Sequence, residues 1–245
     1  MPVPFRALQP VPYARYCQDV EDFLQHHLNQ QPQIGIYNEC DFQVQLAIWL
    51  WASKNGYNNV YTEYRVTYDE INSNYALKKN QWPWPTKRTT AIHVDIVVEK
   101  EIGGQKLYVP IELKFKTKEV STTSLAFDEP NPDKHSRVLY ANQVAYRDNI
   151  SKVWKDVHRI ELLHKAFTKV VGGVVVFLTN DDNYWKSTTN KVTTYPNRVN
   201  SIAAGTRVTD GKATFVMQEG YSTRWISSTT PNVGHGFRAG IIVIP

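Results

Sequence analysis

Glu112 and Lys114 stand two residues apart within Ile111-Glu112-Leu113-Lys114-Phe115-Lys116, a run that reads as a β-strand. Side chains two apart on a strand share a face. Val109, Ile111, Leu113 and Phe115 are expected on one face, and Glu112, Lys114 and Lys116 on the other. Upstream, Ile92-His93-Val94-Asp95-Ile96-Val97-Val98 alternates likewise. Ile92, Val94, Ile96 and Val98 are expected to face the core, and His93, Asp95 and Val97 to face away. Gly103-Gly104 between the runs reads as a hairpin turn. Pairing the two strands puts Asp95, Glu112 and Lys114 on one surface. Two carboxylates can hold a hard cation through oxygen, and a nearby ammonium can stabilise or relay charge at an attacked phosphate. Charges on a central strand whose second face is covered need partners or a metal to offset their desolvation.

Asp95 followed by Glu112-x-Lys114 on a hairpin resembles the PD-(D/E)xK nuclease superfamily, the restriction-endonuclease-like proteins. In that family a helix before the hairpin supplies a further acid from its first turn, and Glu39 in Asn38-Glu39-Cys40-Asp41-Phe42-Gln43 matches it. Lys155 to Glu161 on a helix, followed by the strand Gly173 to Asn180, is similar to the rest of the core. The resemblance covers roughly residues 36–185, with Val94 where the family usually has Pro. It implies an α/β fold, a mixed central sheet flanked by helices. It also implies a DNA endonuclease that hydrolyses phosphodiester bonds with Mg²⁺, for which Mn²⁺ substitutes. Asp95, Glu112 and the backbone carbonyl of Leu113 would hold the ion, with Glu39 binding a second directly or through water. Lys114 would orient or deprotonate the attacking water, or stabilise the phosphorane-like state. Gln43, one turn after Glu39, and Lys116 and Lys118 are candidate nucleic-acid contacts. The long loops leave room for sequence readout, which tilts the reading toward restriction or defence. The alternatives are a structure-selective repair or recombination nuclease, and a non-cleaving nucleic-acid-binding or scaffold protein. Cutting both strands of a duplex needs two active sites, so a homodimer is an expectation.

Composition is compatible with this chemistry. The 245 residues are 42% hydrophobic, enough for a real core, and the net charge of +5 suits a polyanionic partner. Cys17 and Cys40 lie in expected helices, where packing is the plain reading, and two cysteines make no disulfide framework. No apolar run reaches a spanning length and no signal-peptide pattern opens the chain, so the expectation is a cytoplasmic protein without a membrane segment. There is no GxxxxGK[ST] loop, no zinc-type Cys/His spacing and no GxSxG elbow.

The elements that must position these residues follow from periodicity and punctuation. Residues 1–35 read as an N-terminal arm and helix: residues 1–15 hold four prolines and read as extended, and residues 17–29 read as a short amphipathic helix. Residues 36–185 form the core. Its first helix is capped by Asn38, buries Phe42, Leu46, Trp49 and Leu50, and stops by Asn55-Gly56. Val60 to Thr67 alternates as a strand. Residues 69–90 read as a loop in which Lys78, Lys79, Trp82, Trp84, Lys87 and Arg88 interleave cations with aromatics, suited to lying on DNA. Residues 117–137 read as a second loop, and Ser136 to Phe167 as one or two helices burying Leu139, Ile150, Val153, Val157, Ile160 and Leu163 or Phe167. Gln143 and Arg147 are expected to approach the site from this helix, and Asp156, Arg159 and Glu161 to make ion pairs or join the site. Residues 186–245 read as a β-rich extension of the same sheet or a small subdomain, with strands near 213–218, 223–227 and 238–244.

Overall fold

The structure, a computed structural model, describes residues 10–30, 35–74, 91–122, 137–143, 146–185, 199–210, 213–229 and 236–245. The basic aromatic stretch with Lys87 and Arg88 lies outside these. Four helices are described: α1 (Pro10–Leu28), α2 (Glu39–Trp51), α3 (Tyr68–Asn74) and α4 (Tyr146–Ala166). The strands are β1 (Asn59–Thr67), β2 (Ala91–Ile102), β3 (Gln105–Lys116), β4 (Val120–Thr122), β5 (Arg137–Tyr140), β6 (Gly173–Thr179), β7 (Ser201–Ile202), β8 (Arg207–Asp210), β9 (Ala213–Val216), β10 (Tyr221–Ser227) and β11 (Arg238–Ile244).

Seven strands make one mixed sheet in the order β1-β2-β3-β6-β11-β10-β7. β1, β2 and β3 are antiparallel neighbours, and β6 runs parallel to β3. A parallel pair requires a crossover, and α4 is it. Gly103 and Gly104 turn β2 into β3 with φ of 59° and 77°, a left-handed pair that glycine adopts without cost. On one side of the sheet α1 and α2 bury Phe23, Phe42, Leu46 and Leu50 against Ile111, Leu113 and Phe115. On the other side α4 lays Val153, Val157 and Ile160 over Val175 and Phe177. Gly173 permits that close approach, because a Cβ there would meet the Ile160 side chain and, at 2.9 Å, the Pro110 carbonyl. β6 is therefore buried along its whole length.

Several elements differ from the sequence expectation. α1 starts at Pro10, inside the stretch read as extended; proline lacks only an N–H that a helix's first turn leaves unpaired. Residues 68–74 form α3 where a loop was expected, capped reciprocally by Thr67 and Glu70. Arg137–Tyr140, Leu139 included, is a strand pairing with β4, so the long helix begins only at Tyr146. The C-terminal region divides between both readings: β7, β10 and β11 extend the main sheet, while β8 and β9 form a separate hairpin. Cys17 packs beside the core, but Cys40 is exposed. Among the described residues no helix is long and apolar enough to cross a membrane.

Candidate active site

The site is a fork in the sheet. β2 and β3 pair from Ile102↔Gln105 up to Ile96↔Ile111 and then part. The cause is a change of face in β1 and β2 at one level. Ile96 and Val98 pack on the α1–α2 side, but Ile92, Val94 and Val97 pack on the α3–α4 side. The uniform facing of Ile92, Val94, Ile96 and Val98 expected from alternation is thus broken at Asp95, and Val97 is buried, not turned to solvent. Opposite Asp95, between the pairs Thr62↔Ile96 and Tyr64↔Val94, Glu63 has φ of 52°, a left-handed conformation uncommon outside glycine. The pair of irregularities frees the Asp95 side chain to reach across the fork. Its Oδ2 accepts the Leu113 N–H at 2.6 Å, occupying the edge of β3 that β2 has left.

Glu39 does the same one step further along. It opens α2, where Asn38 caps the helix by accepting the Asp41 N–H at 2.8 Å. Its Oε2 accepts the Phe115 N–H at 3.1 Å, two residues on and on the same strand edge. Gln43 straps α2 to this place, donating to the Asp95 carbonyl at 2.6 Å and to Glu63 at 3.0 Å. Its amide is a positioning contact here, not a free group facing outward.

Glu112 and Lys114 point to the other side of the fork, under α4. Glu112 is 1% exposed, and its Oε1 lies 3.3 Å from the Arg159 guanidinium. Arg159 also holds Asp156 at 2.9 Å, and Asp156 pairs with the Lys114 ammonium at 3.0 Å. Lys114 further donates to the Leu113 carbonyl at 2.8 Å and stands 3.7 Å from Glu39. Asp156 and Arg159, for which the sequence left ion pairing and a place in the site equally open, are thus part of the cluster. Their spacing of three on a helix is shared by many structural pairs, so nothing in the sequence distinguishes them.

The electrostatics are unbalanced. Glu39, Asp95, Glu112 and Asp156 converge on Lys114 and Arg159, with Lys116 half-buried at the margin. Burial pushes the Asp95 carboxyl up to about 6, with Lys114 and the Leu113 N–H pulling the other way. Burial, reinforced by Asp156 and Asp95, holds Glu112 well above the carboxylate range against the pull of Arg159. Burial alone would lower Lys114, but Asp156 and Glu39 outweigh it and hold the ammonium protonated. Glu112 Oε2 is buried with no hydrogen-bond partner among the described residues. Hard oxygen donors, excess carboxylate and an orphaned carboxylate oxygen fit a divalent cation. As the side chains stand, no group of three or more His, Cys, Asp or Glu is gathered to hold one among the described residues, since Lys114 and Arg159 occupy the carboxylates.

The remaining expected contacts are dispersed. Lys116 lies close enough to Glu39 and Lys114 to feel both, and burial lowers it. Lys118 turns away to Asp181 at 3.1 Å and Asp182 at 2.7 Å. His93 is exposed beside Glu63 at 3.6 Å. Gln143 precedes α4, its N–H bound to the Thr117 carbonyl at 2.9 Å, and the Arg147 side chain is outside the described residues. Compared with models of protein families, with curated proteins and with solved structures, the chain finds no match.

Proposed function

We propose that this chain is a metal-dependent deoxyribonuclease with a restriction-endonuclease-like core. The order α2-β1-α3-β2-β3-β4-β5-α4-β6, with β1, β2 and β3 antiparallel neighbours and β6 parallel to β3, supports that core. The observation that carries the activity is the convergence of Glu39, Asp95, Glu112 and Lys114 on one fork, from two strands and a helix N-terminus. Asp95, Glu112 and the Leu113 carbonyl would hold Mg²⁺ or Mn²⁺, with Glu39 reaching it directly or through water. The bound ion would polarise a phosphoryl oxygen and make a coordinated water more acidic. The β3 edge fixes Asp95 and Glu39 through its N–H groups, so their free oxygens are preorganised. Lys114, held protonated, serves as a charge that stabilises negative oxygens at the attacked phosphorus, not as the base that takes a proton from water. Arg159 and Asp156 keep Glu112 and Lys114 in place under α4. A cut through both strands of a duplex would need two copies of the chain.

The competing reading, a non-cleaving nucleic-acid-binding or scaffold protein, draws on the internal pairing of Lys114 with Asp156 and of Glu112 with Arg159. The purified protein is to be incubated with duplex, single-stranded and branched DNA, and with RNA, in Mg²⁺ or Mn²⁺. Cleavage is expected for wild type and absent for a folded Asp95→Asn variant. A folded Asp95→Asn protein that cuts at the wild-type rate removes the assignment, and a wild type that neither cuts nor binds metal gives the scaffold reading.

A further inference from the structure

A cavity of about 350 Å³ opens beside the fork. Val94 and Val97, which flank Asp95, line it, but Asp95 itself does not. It is also lined by Pro110, two residues before Glu112 on the same strand face, and by Leu163, one helical turn after Arg159. The cavity is therefore the next space along the sheet from the carboxylate cluster, bounded by β1, β2, α3 and the end of α4.

Its walls are fixed by backbone. α3 starts with the reciprocal cap in which Glu70 accepts the Thr67 N–H at 2.6 Å while Thr67 Oγ1 accepts the Glu70 N–H at 3.2 Å. The segment after α4 is tied to β3, with the Tyr108 N–H on the Lys169 carbonyl at 2.8 Å and the Val171 N–H on the Tyr108 carbonyl at 3.1 Å. The rings of Tyr64, Tyr108 and Phe167 line the interior, and Arg65 and Lys169 bring two cations. The one lining carboxylate among the described residues, Glu70, is already engaged by both the N–H and the hydroxyl of Thr67. An aromatic-lined slot with a cationic margin suits a flat aromatic body that carries an anion, and the volume suits one nucleotide. A base within a duplex enters only after leaving its stack and its partner, a cost that an unpaired base is spared.

We propose that this cavity receives an unpaired nucleotide of the substrate strand, its base against Tyr64, Tyr108 and Phe167 and its phosphate toward Arg65 and Lys169. The inference deepens the nuclease reading and rests on it for the strand as the source of the nucleotide. It makes the preferred substrate a single strand, an overhang or a branched junction over a fully paired duplex.

The test is binding of short labelled oligonucleotides in EDTA, where no metal-supported cleavage occurs. Wild type is expected to bind a base-bearing single strand more tightly than a blunt duplex and than the same strand made abasic. Phe167→Ala should weaken the base-bearing strand on the order of 10-fold, the scale of a lost base–aromatic stack, and leave the abasic strand unchanged. Arg65→Ala, at an exposed position that the fold does not need, should weaken both strands and lower the log–log salt slope by about one unit. A wild type indifferent to the bases, or variants that bind like wild type, overturns the proposal. Deoxynucleoside monophosphate bound with the same variant losses while strands show none makes the cavity a free-nucleotide site and also overturns it. Cleavage in Mn²⁺ by wild type against Asp95→Asn reads the nuclease proposal separately, so either can fail alone.

Discussion

α4 carries two acid–base pairs, each spaced three residues apart and largely shielded from solvent, and they behave oppositely. His158 and Glu161 face the C-terminal strands. Glu161 Oε1 accepts from the Tyr221 hydroxyl at 2.8 Å and from the Gln218 and Glu219 N–H groups at 3.2 and 3.1 Å. Its Oε2 meets His158 Nδ1 at 2.8 Å, and the His158 ring stacks on Phe215. Asp156 and Arg159 face β3 and join a cluster in which carboxylates outnumber cations, Asp95 and Glu112 are pushed upward, and Glu112 Oε2 has no hydrogen-bond partner among the described residues. A buried carboxylate with a full set of donors holds structure together; one left short of partners costs stability that a structural role does not explain. Completeness of hydrogen bonding, not burial or charge, separates the clamp from the candidate site.

The comparison breaks most visibly at the clamp. Glu161→Ala removes an acceptor on which the backbone between β9 and β10 depends and leaves buried donors unpaired. It should cost about 3–5 kcal/mol of unfolding free energy, read by urea denaturation. Cleavage per folded molecule should stay near wild type. A large loss of rate at unchanged stability would show that the clamp belongs to the site.

How much of this was legible beforehand follows the same division. The period-two alternation and Gly103-Gly104 marked the hairpin, and Asn38 ahead of Glu39 marked the start of α2, because those signals are local. The crossover helix and β6 were visible as apolar runs of the right length. The fork was not, because it depends on Glu63 and Asp95 breaking their strands at one level, a property of the pair and not of either sequence. Nor could Asp156/Arg159 be told from His158/Glu161: both are acid and base three apart on a helix, and only partners from distant strands set their roles. α3 and the part of α1 before residue 17 were missed, where short length and prolines outweighed capping. The cavity was missed because its lining comes from separate elements, with no motif to join them.

On the other side of the comparison stands Lys114. Its charge faces the fork and is held protonated by Asp156 and Glu39. Lys114→Ala should lower the cleavage rate on the order of 10²–10³-fold, the loss seen for a single preorganised electrostatic group. Mn²⁺ affinity should be kept or raised, since the variant removes a cation that competes for the carboxylates. Lys114→Arg should restore little, because a planar guanidinium does not fit where a point charge is held. Calorimetry with Mn²⁺ beside single-turnover cleavage reads both; equal losses in the two would reduce Lys114 to a structural partner like His158.

The smallest effect is the sharpest test of incompleteness, because it has a sign that a structural carboxylate does not. Asp95 is held near 6 in the folded protein, above its ordinary value of 3.8. Between those values the folded state binds more protons at Asp95 than the unfolded one, so the Asp95 contribution to stability without metal should fall as pH rises through that window and level off above about 6, while Glu112, raised by the same burial, adds a fall of the same sign. A carboxylate stabilised by its partners would do the reverse. Asp95→Asn removes the charge but keeps the oxygen that accepts the Leu113 N–H, so the variant should lose the Asp95 part of this dependence and keep that of Glu112. In EDTA at neutral pH it should then be more stable than wild type by about 3 kcal/mol, the free-energy equivalent of holding Asp95 at about 6 against 3.8. Mg²⁺ should close the gap by stabilising wild type alone, and more strongly at pH 7.5 than at pH 5.5, since protons compete with the ion for the same oxygens. Thermal melts of both proteins at the two pH values, with and without Mg²⁺, contain every term. Wild type more stable than Asp95→Asn in EDTA at neutral pH would mean that the fork is satisfied as it stands, and the two faces of α4 would no longer differ in kind.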